Sequence, residues 1–183
     1  TFISGGSYIP RIEITSEAKV EPTNGDGTKV TGDPVAGGTY YFDFQDATAA
    51  FYEKAEGAES AADGAAMIAG EYGLMTVVSA GNYHGKDHGM NRPATLSFKV
   101  PGDCTISIMG CMFTGSGDVF KMVSSSGTFD ADQKAAQTAN CYNASNPATD
   151  GSDRVVFNYT GEAGTVTFIS GGSYIPRIEI TSE

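Results

Sequence analysis

The chain has 183 residues, 11 Lys+Arg against 22 Asp+Glu, a formal net charge of −11 and no Trp. That balance excludes nucleic acid and anionic membrane surfaces as partners, because both call for a basic face. Ten Phe and nine Tyr in a chain that is 40% hydrophobic supply one ordinary core and exclude wholesale disorder, while 24 Gly exclude a coiled coil.

Residues 1–17 read as the closing strands of a module, and 18–37, with two Pro and four Gly, as a linker. A new module is expected over 38–183. Its first strand is Thr39–Phe44, with Tyr40, Phe42 and Phe44 on one face. The Ala- and Glu-rich stretch 47–70 is expected to be a partly helical insertion, with a short helix near 47–56. Further strands follow at Leu74–Val78, Thr95–Val100 and Cys104–Ile108, the last two joined by a Pro101-Gly102-Asp103 turn. Val119–Val123, Arg154–Tyr159, Thr165–Ile169 and Tyr174–Ile180 complete the set. About eight short strands with period-two alternation and Gly-rich turns predict an all-β fold, a β-sandwich or jelly roll of antiparallel strands.

The strongest signal is a repeat. TFISGGSYIPRIEITSE stands at residues 1–17 and again at 167–183, identical at every position. Repetition of this kind decides architecture before any motif does. It predicts tandem modules, from which the chain carries one period and the tail of the one before, with an artificial duplication of the end strand as the competing explanation. The opening at Thr1-Phe2-Ile3, with no leader pattern ahead of it, reads as a piece of something longer. The first copy has no core of its own upstream. Its apolar residues Phe2, Ile3, Tyr8, Ile9, Ile12 and Ile14 are therefore the expected inter-module contact, made either along a continuous array or by strand addition to a second chain. A head-to-tail contact that does not close into a ring builds a filament.

Candidate chemistry is sparse. His84 and His88 are spaced for a helical zinc site, but Gly81, Gly85 and Gly89 place them in a loop with no evident third ligand. Tyr83, His84, His88 and Asn91 share that loop and are the candidate glycan contacts. No Gly-x-Ser-x-Gly elbow or nucleophile–base set appears, so no enzymatic activity is expected. No cofactor is expected, and the place for a structural Ca²⁺ would be an Asp-rich turn around Asp130, Asp132, Asp150 or Asp153. Cys104 falls in phase with Ile106 and Ile108 and reads as a small buried hydrophobe. Cys111 and Cys141 are the expected disulfide, in keeping with an extracellular setting.

Four segments in order carry a resemblance. They are Gly-Thr-Tyr-Tyr-Phe-Asp-Phe, Phe-Lys-Val-Pro-Gly-Asp-Cys-Thr-Ile-Ser-Ile-Met-Gly-Cys, Asn-Tyr-Thr-Gly-Glu-Ala-Gly-Thr-Val-Thr-Phe and the closing Tyr-Ile-Pro-Arg-Ile-Glu-Ile. Over residues 38–180, the 47–70 insertion excepted, the chain resembles non-catalytic, carbohydrate-binding-like β-sandwich modules of secreted bacterial pectin-degrading enzymes and large surface proteins. The resemblance implies a module outside the cell. Absence of Trp and the acidic charge depart from what a reader of anionic pectin would present. The leading expectation is a structural repeat of an extracellular fibre or surface stalk, whose partners are its own copies. A glycan-binding or adhesin module is the alternative.

Overall fold

The computed structural model describes residues 23–24, 34, 36–79, 81–91, 94–112, 121–130, 154–171 and 173–182. In chain order the strands are β1 (Thr23–Asn24), β2 (Thr39–Asp43), β3 (Gly70–Tyr72), β4 (Met75–Ser79), β5 (Asn82–Tyr83), β6 (Met90–Asn91) and β7 (Ala94–Val100). They continue as β8 (Cys104–Met112), β9 (Lys121–Ser124), β10 (Gly127–Phe129), β11 (Arg154–Gly161), β12 (Gly164–Ser170) and β13 (Ser173–Ser182). One sheet runs β1-β2-β13-β8-β11-β10, with β6 also against β13 and β5 against β6; the other runs β3-β4-β7-β12-β9. All pairings are antiparallel. The two sheets pack face to face as a β-sandwich.

Alternation produces this packing directly. Tyr40, Phe42 and Phe44 point inward from the first sheet, and Leu96, Phe98 and Val100 from the second. Phe42 and Phe98 meet across the core with ring centroids 4.7 Å apart. Cys104, Ile106 and Ile108 lie in phase on β8 and are buried, so the reading of Cys104 as a small hydrophobe holds. Burial, reinforced by the negative charge of Asp103, pushes its thiol up to about 11. The Tyr40 hydroxyl is buried too and donates to the Lys99 carbonyl at 2.7 Å, tying the sheets together.

The 47–70 insertion corrects the sequence reading, since it contains no helix. Phe51 and Tyr52 are both buried, and the Tyr52 hydroxyl donates to the Phe44 carbonyl at 2.9 Å. Only a single turn forms, Tyr52 N–H donating to the Ala49 carbonyl, before the bonds become non-local: Glu53 N–H donates to the Ala66 carbonyl and Ile68 N–H to the Phe51 carbonyl. Gly57 and Gly64 hold φ of 78° and 86°, which stops helix propagation. The segment folds back through bridges Tyr52↔Met67 and Ala66↔Asn82 and caps one end of the sandwich.

That cap makes the two ends of the molecule different. At one end lie the tight turns at Gly73-Leu74, Pro101–Asp103, Ser125-Ser126 and Glu162-Ala163. Gly38 and Ser182 close this end, with Ser182 N–H donating to the Gly38 carbonyl at 3.0 Å. At the other end lie the longer connections 44–69 and 84–89 and the crossing from β12 to β13. Within 18–37, read as a linker, Thr23 and Asn24 already pair with Tyr41 and Tyr40 on the free edge of β2.

Candidate functional site: the β13 slot and the loop end

The second copy of the repeated segment supplies the last four residues of β12, the crossing, and all of β13. β12 and β13 belong to different sheets, so the copy reaches into both. β13 is an interior strand. Arg177–Thr181 pair with Asp43–Thr39 on one side, and Arg177–Ser182 pair with Met109–Cys104 on the other. Ile175, Ile178 and Ile180 are fully buried beneath it, as is Phe168 on β12. On its outer face Arg177 lies 3.9 Å from the Tyr41 ring centroid and 2.8 Å from Glu179. Removing this strand would part β2 from β8 and open the core.

The candidate contact residues Phe2, Ile3, Tyr8, Ile9, Ile12 and Ile14 lie outside the described residues. Their equivalents in the second copy are Phe168, Ile169, Tyr174, Ile175, Ile178 and Ile180. Four of these six are core residues, Tyr174 is half-buried and Ile169 is exposed. Every side chain needed to occupy the β13 slot is thus present twice in the chain.

The second cluster sits at the loop end. β6 pairs Met90 with Ile175 of β13, which brings the 84–89 loop beside the start of that strand. Gly89 permits this approach: a Cβ there would stand 2.5 Å from the Ile175 carbonyl oxygen, and its φ is 66°. His84 stacks on Tyr174 at 5.0 Å with planes 13° apart, and His88 packs on the same ring at 4.4 Å. Asp63 Oδ1, from the insertion, lies 3.3 Å from His84 Nδ1. His84 and Asp63 are both well exposed, so their pairing contributes little to stability.

Of the four glycan candidates, this places His84 and His88 together at the surface. Tyr83 is a core residue: its ring packs on Tyr52 at 5.0 Å and its hydroxyl donates to the Gln45 carbonyl at 3.3 Å. It therefore presents no face to a ligand. Asn91 is half-buried in the β5–β6 pair, opposite Asn82. Tyr174 was missed because it is 90 residues from His84 in sequence and joins it only through the β6–β13 contact.

Cys111 lies on β8, while Cys141 falls outside the described residues, as do Asp132, Asp150 and Asp153. Asp130 is described, and its carboxylate accepts from the Asn158 backbone N–H and side-chain amide. The side-chain bond to Asn158 holds its carboxyl below the usual range. Among the described residues no three His, Cys, Asp or Glu side chains gather as a metal site. Comparison with protein-family profiles, curated proteins and solved structures finds no match to this chain.

Proposed function

We propose that this chain is a structural repeat module of an extracellular fibre, filament or surface stalk, joined head to tail through the segment it carries twice. The observation that carries the reading is the identity of residues 1–17 with the segment that forms the end of β12 and the whole of β13. A segment that completes an interior strand of one module completes the same slot in the next. It does so as continuous chain in a tandem array or by strand addition between separate chains. The direction of the strands supports an extended assembly. β1 runs antiparallel to β2, so the chain enters beside Asp43; β13 ends beside Thr39, so it leaves at the opposite end. Entry and exit at opposite ends give a string rather than a closed ring. The role asks for no catalysis, only for modules that stay folded and joined.

The test is negative-stain microscopy of native material together with the mass of its denatured chains. Fibres dissolving to subunits near 19.0 kDa indicate strand exchange. Fibres whose denatured chains are several times larger indicate a covalent array. Isolated globular particles overturn the reading.

A glycan-binding role is the second reading, favoured by the half-exposed His84–His88–Tyr174 ring cluster. Binding on a glycan array that disappears in both His84→Ala and Tyr174→Ala supports it, and an array with no signal removes it.

A further inference from the structure

The spacing of the repeat relative to β1 fixes how closely two modules sit, given the head-to-tail reading above. In the second copy the last strand residue is Ser182, at the turn end beside Gly38. Its counterpart in the first copy is Ser16. The next residue held in a sheet is Thr23, opposite Tyr41. Only residues 17–22 lie between, and fully extended they reach roughly 24 Å. Tyr41 itself lies two residues, about 7 Å, inside the Asp43 level at the loop end. That leaves at most about 17 Å between the last strand level of one module and the first of the next.

Both facing ends project into that gap. On the turn end, Pro101–Asp103 and Glu162-Ala163 extend beyond the paired residues Val100 and Gly164. An open pocket of about 350 Å³ lies beside them, lined by Pro34, Lys99, Pro101 and Ala163 among others. On the loop end, Phe44–Asp46 and the 84–89 loop extend beyond Asp43, pinned to each other where the Gln45 side-chain amide donates to the Lys86 carbonyl. A gap of at most about 17 Å brings the two projecting ends within reach of each other.

We propose that the loop end of each module, around Gln45, Lys86 and His88, seats the turn end of the preceding module, around Pro101–Asp103 and Glu162-Ala163, so that repeats stack along the strand axis without a free hinge. The occupant of each end is another copy of this chain.

Zero-length carbodiimide cross-linking tests this on the native sequence. Lys86 and the Asp103 and Glu162 carboxylates sit at opposite ends of one module, roughly 30 Å apart along a ten-residue strand. A Lys86–Glu162 or Lys86–Asp103 cross-link can therefore form only between modules. The sample is a chain carrying two periods in series, at high dilution, analysed by peptide mass spectrometry. The expected result is an intramolecular cross-link whose yield falls about tenfold when a dozen Gly/Ser residues are inserted after Ala18. No cross-link, or a yield indifferent to the insertion, overturns the stacked interface. Because the two periods are covalently joined, that failure leaves the fibre reading standing; a cross-link here with isolated particles in the native material sinks the fibre reading alone.

Discussion

The two ends of the sandwich are built from different materials. The turn end is held by short connections that bond to one another across neighbouring strands. Tyr159 hydroxyl reaches Ser126 Oγ and the Glu162 carbonyl, both at 2.9 Å, and Gly161 N–H donates to the Asp103 carboxylate at 2.8 Å. The loop end is held by long-range contacts between an insertion, a glycine-rich loop and the start of β13. The module is therefore polarised along its strands, a property the proposed head-to-tail repeat would use.

The largest expected effect is on β13, which serves both ends. Ile178→Ala removes a fully buried side chain and is expected to cost about 3 kcal/mol, read as a lowered midpoint in urea. Ile12→Ala, the same change in the first copy, is expected to leave that midpoint within about 0.5 kcal/mol and to act on assembly instead. Equal losses from the two variants would mean that both copies are built into one core.

Glycine contacts separate the ends next. Gly127→Ala places a Cβ 2.5 Å from the Thr160 carbonyl oxygen, a backbone atom that cannot step aside, and about 2–3 kcal/mol is expected to be lost. In the 84–89 loop, Gly85→Ala meets open space and only the strain of φ 75°, so about 1 kcal/mol is expected. Thermal unfolding of both variants checks the ranking; a reversal would mean the turn end yields more readily than the loops. A smaller effect, about 1 kcal/mol, is expected for Tyr159→Phe, which leaves the Ser126 hydroxyl and the Glu162 carbonyl without their phenol.

The smallest expected effect is on acid stability. Asp130 titrates below its ordinary value in the folded state, so its contribution is present above pH 3.8 and is lost as pH falls through the folded value. The carboxylate is exposed, so well under 1 kcal/mol is at stake. Asp130→Asn is expected to flatten the unfolding midpoint slightly as pH falls below 3.8, and an unchanged slope would remove the Asn158 contact from the account.

Much of the sandwich was legible because its strands alternate strictly. Leu96, Phe98 and Val100, or Cys104, Ile106 and Ile108, announce a buried face without any knowledge of partners. Strands of two or three residues, such as β5, β6 and β10, were not legible, since no period fits in so few positions. The insertion misled for a related reason. Ala and Glu favour helix locally, yet Phe51, Tyr52 and Met67 are drawn into a core whose other half lies in distant strands. The ring cluster was half legible: His84 and His88 stood out together, while Tyr174 needed the topology. The role of the repeat as an interior strand was invisible in the sequence, because strand order across a sheet is not written in any local pattern.

The account stands on the first copy being able to fill the β13 slot. The most direct measurement is microscopy and mass determination on the chain ended at Val166, which keeps residues 1–17 and lacks the second copy. The account predicts head-to-tail fibres of this shortened chain, capped to folded monomers when free peptide of sequence 1–17 is added in excess. A chain that stays unassembled, and that the peptide neither folds nor binds, would contradict it.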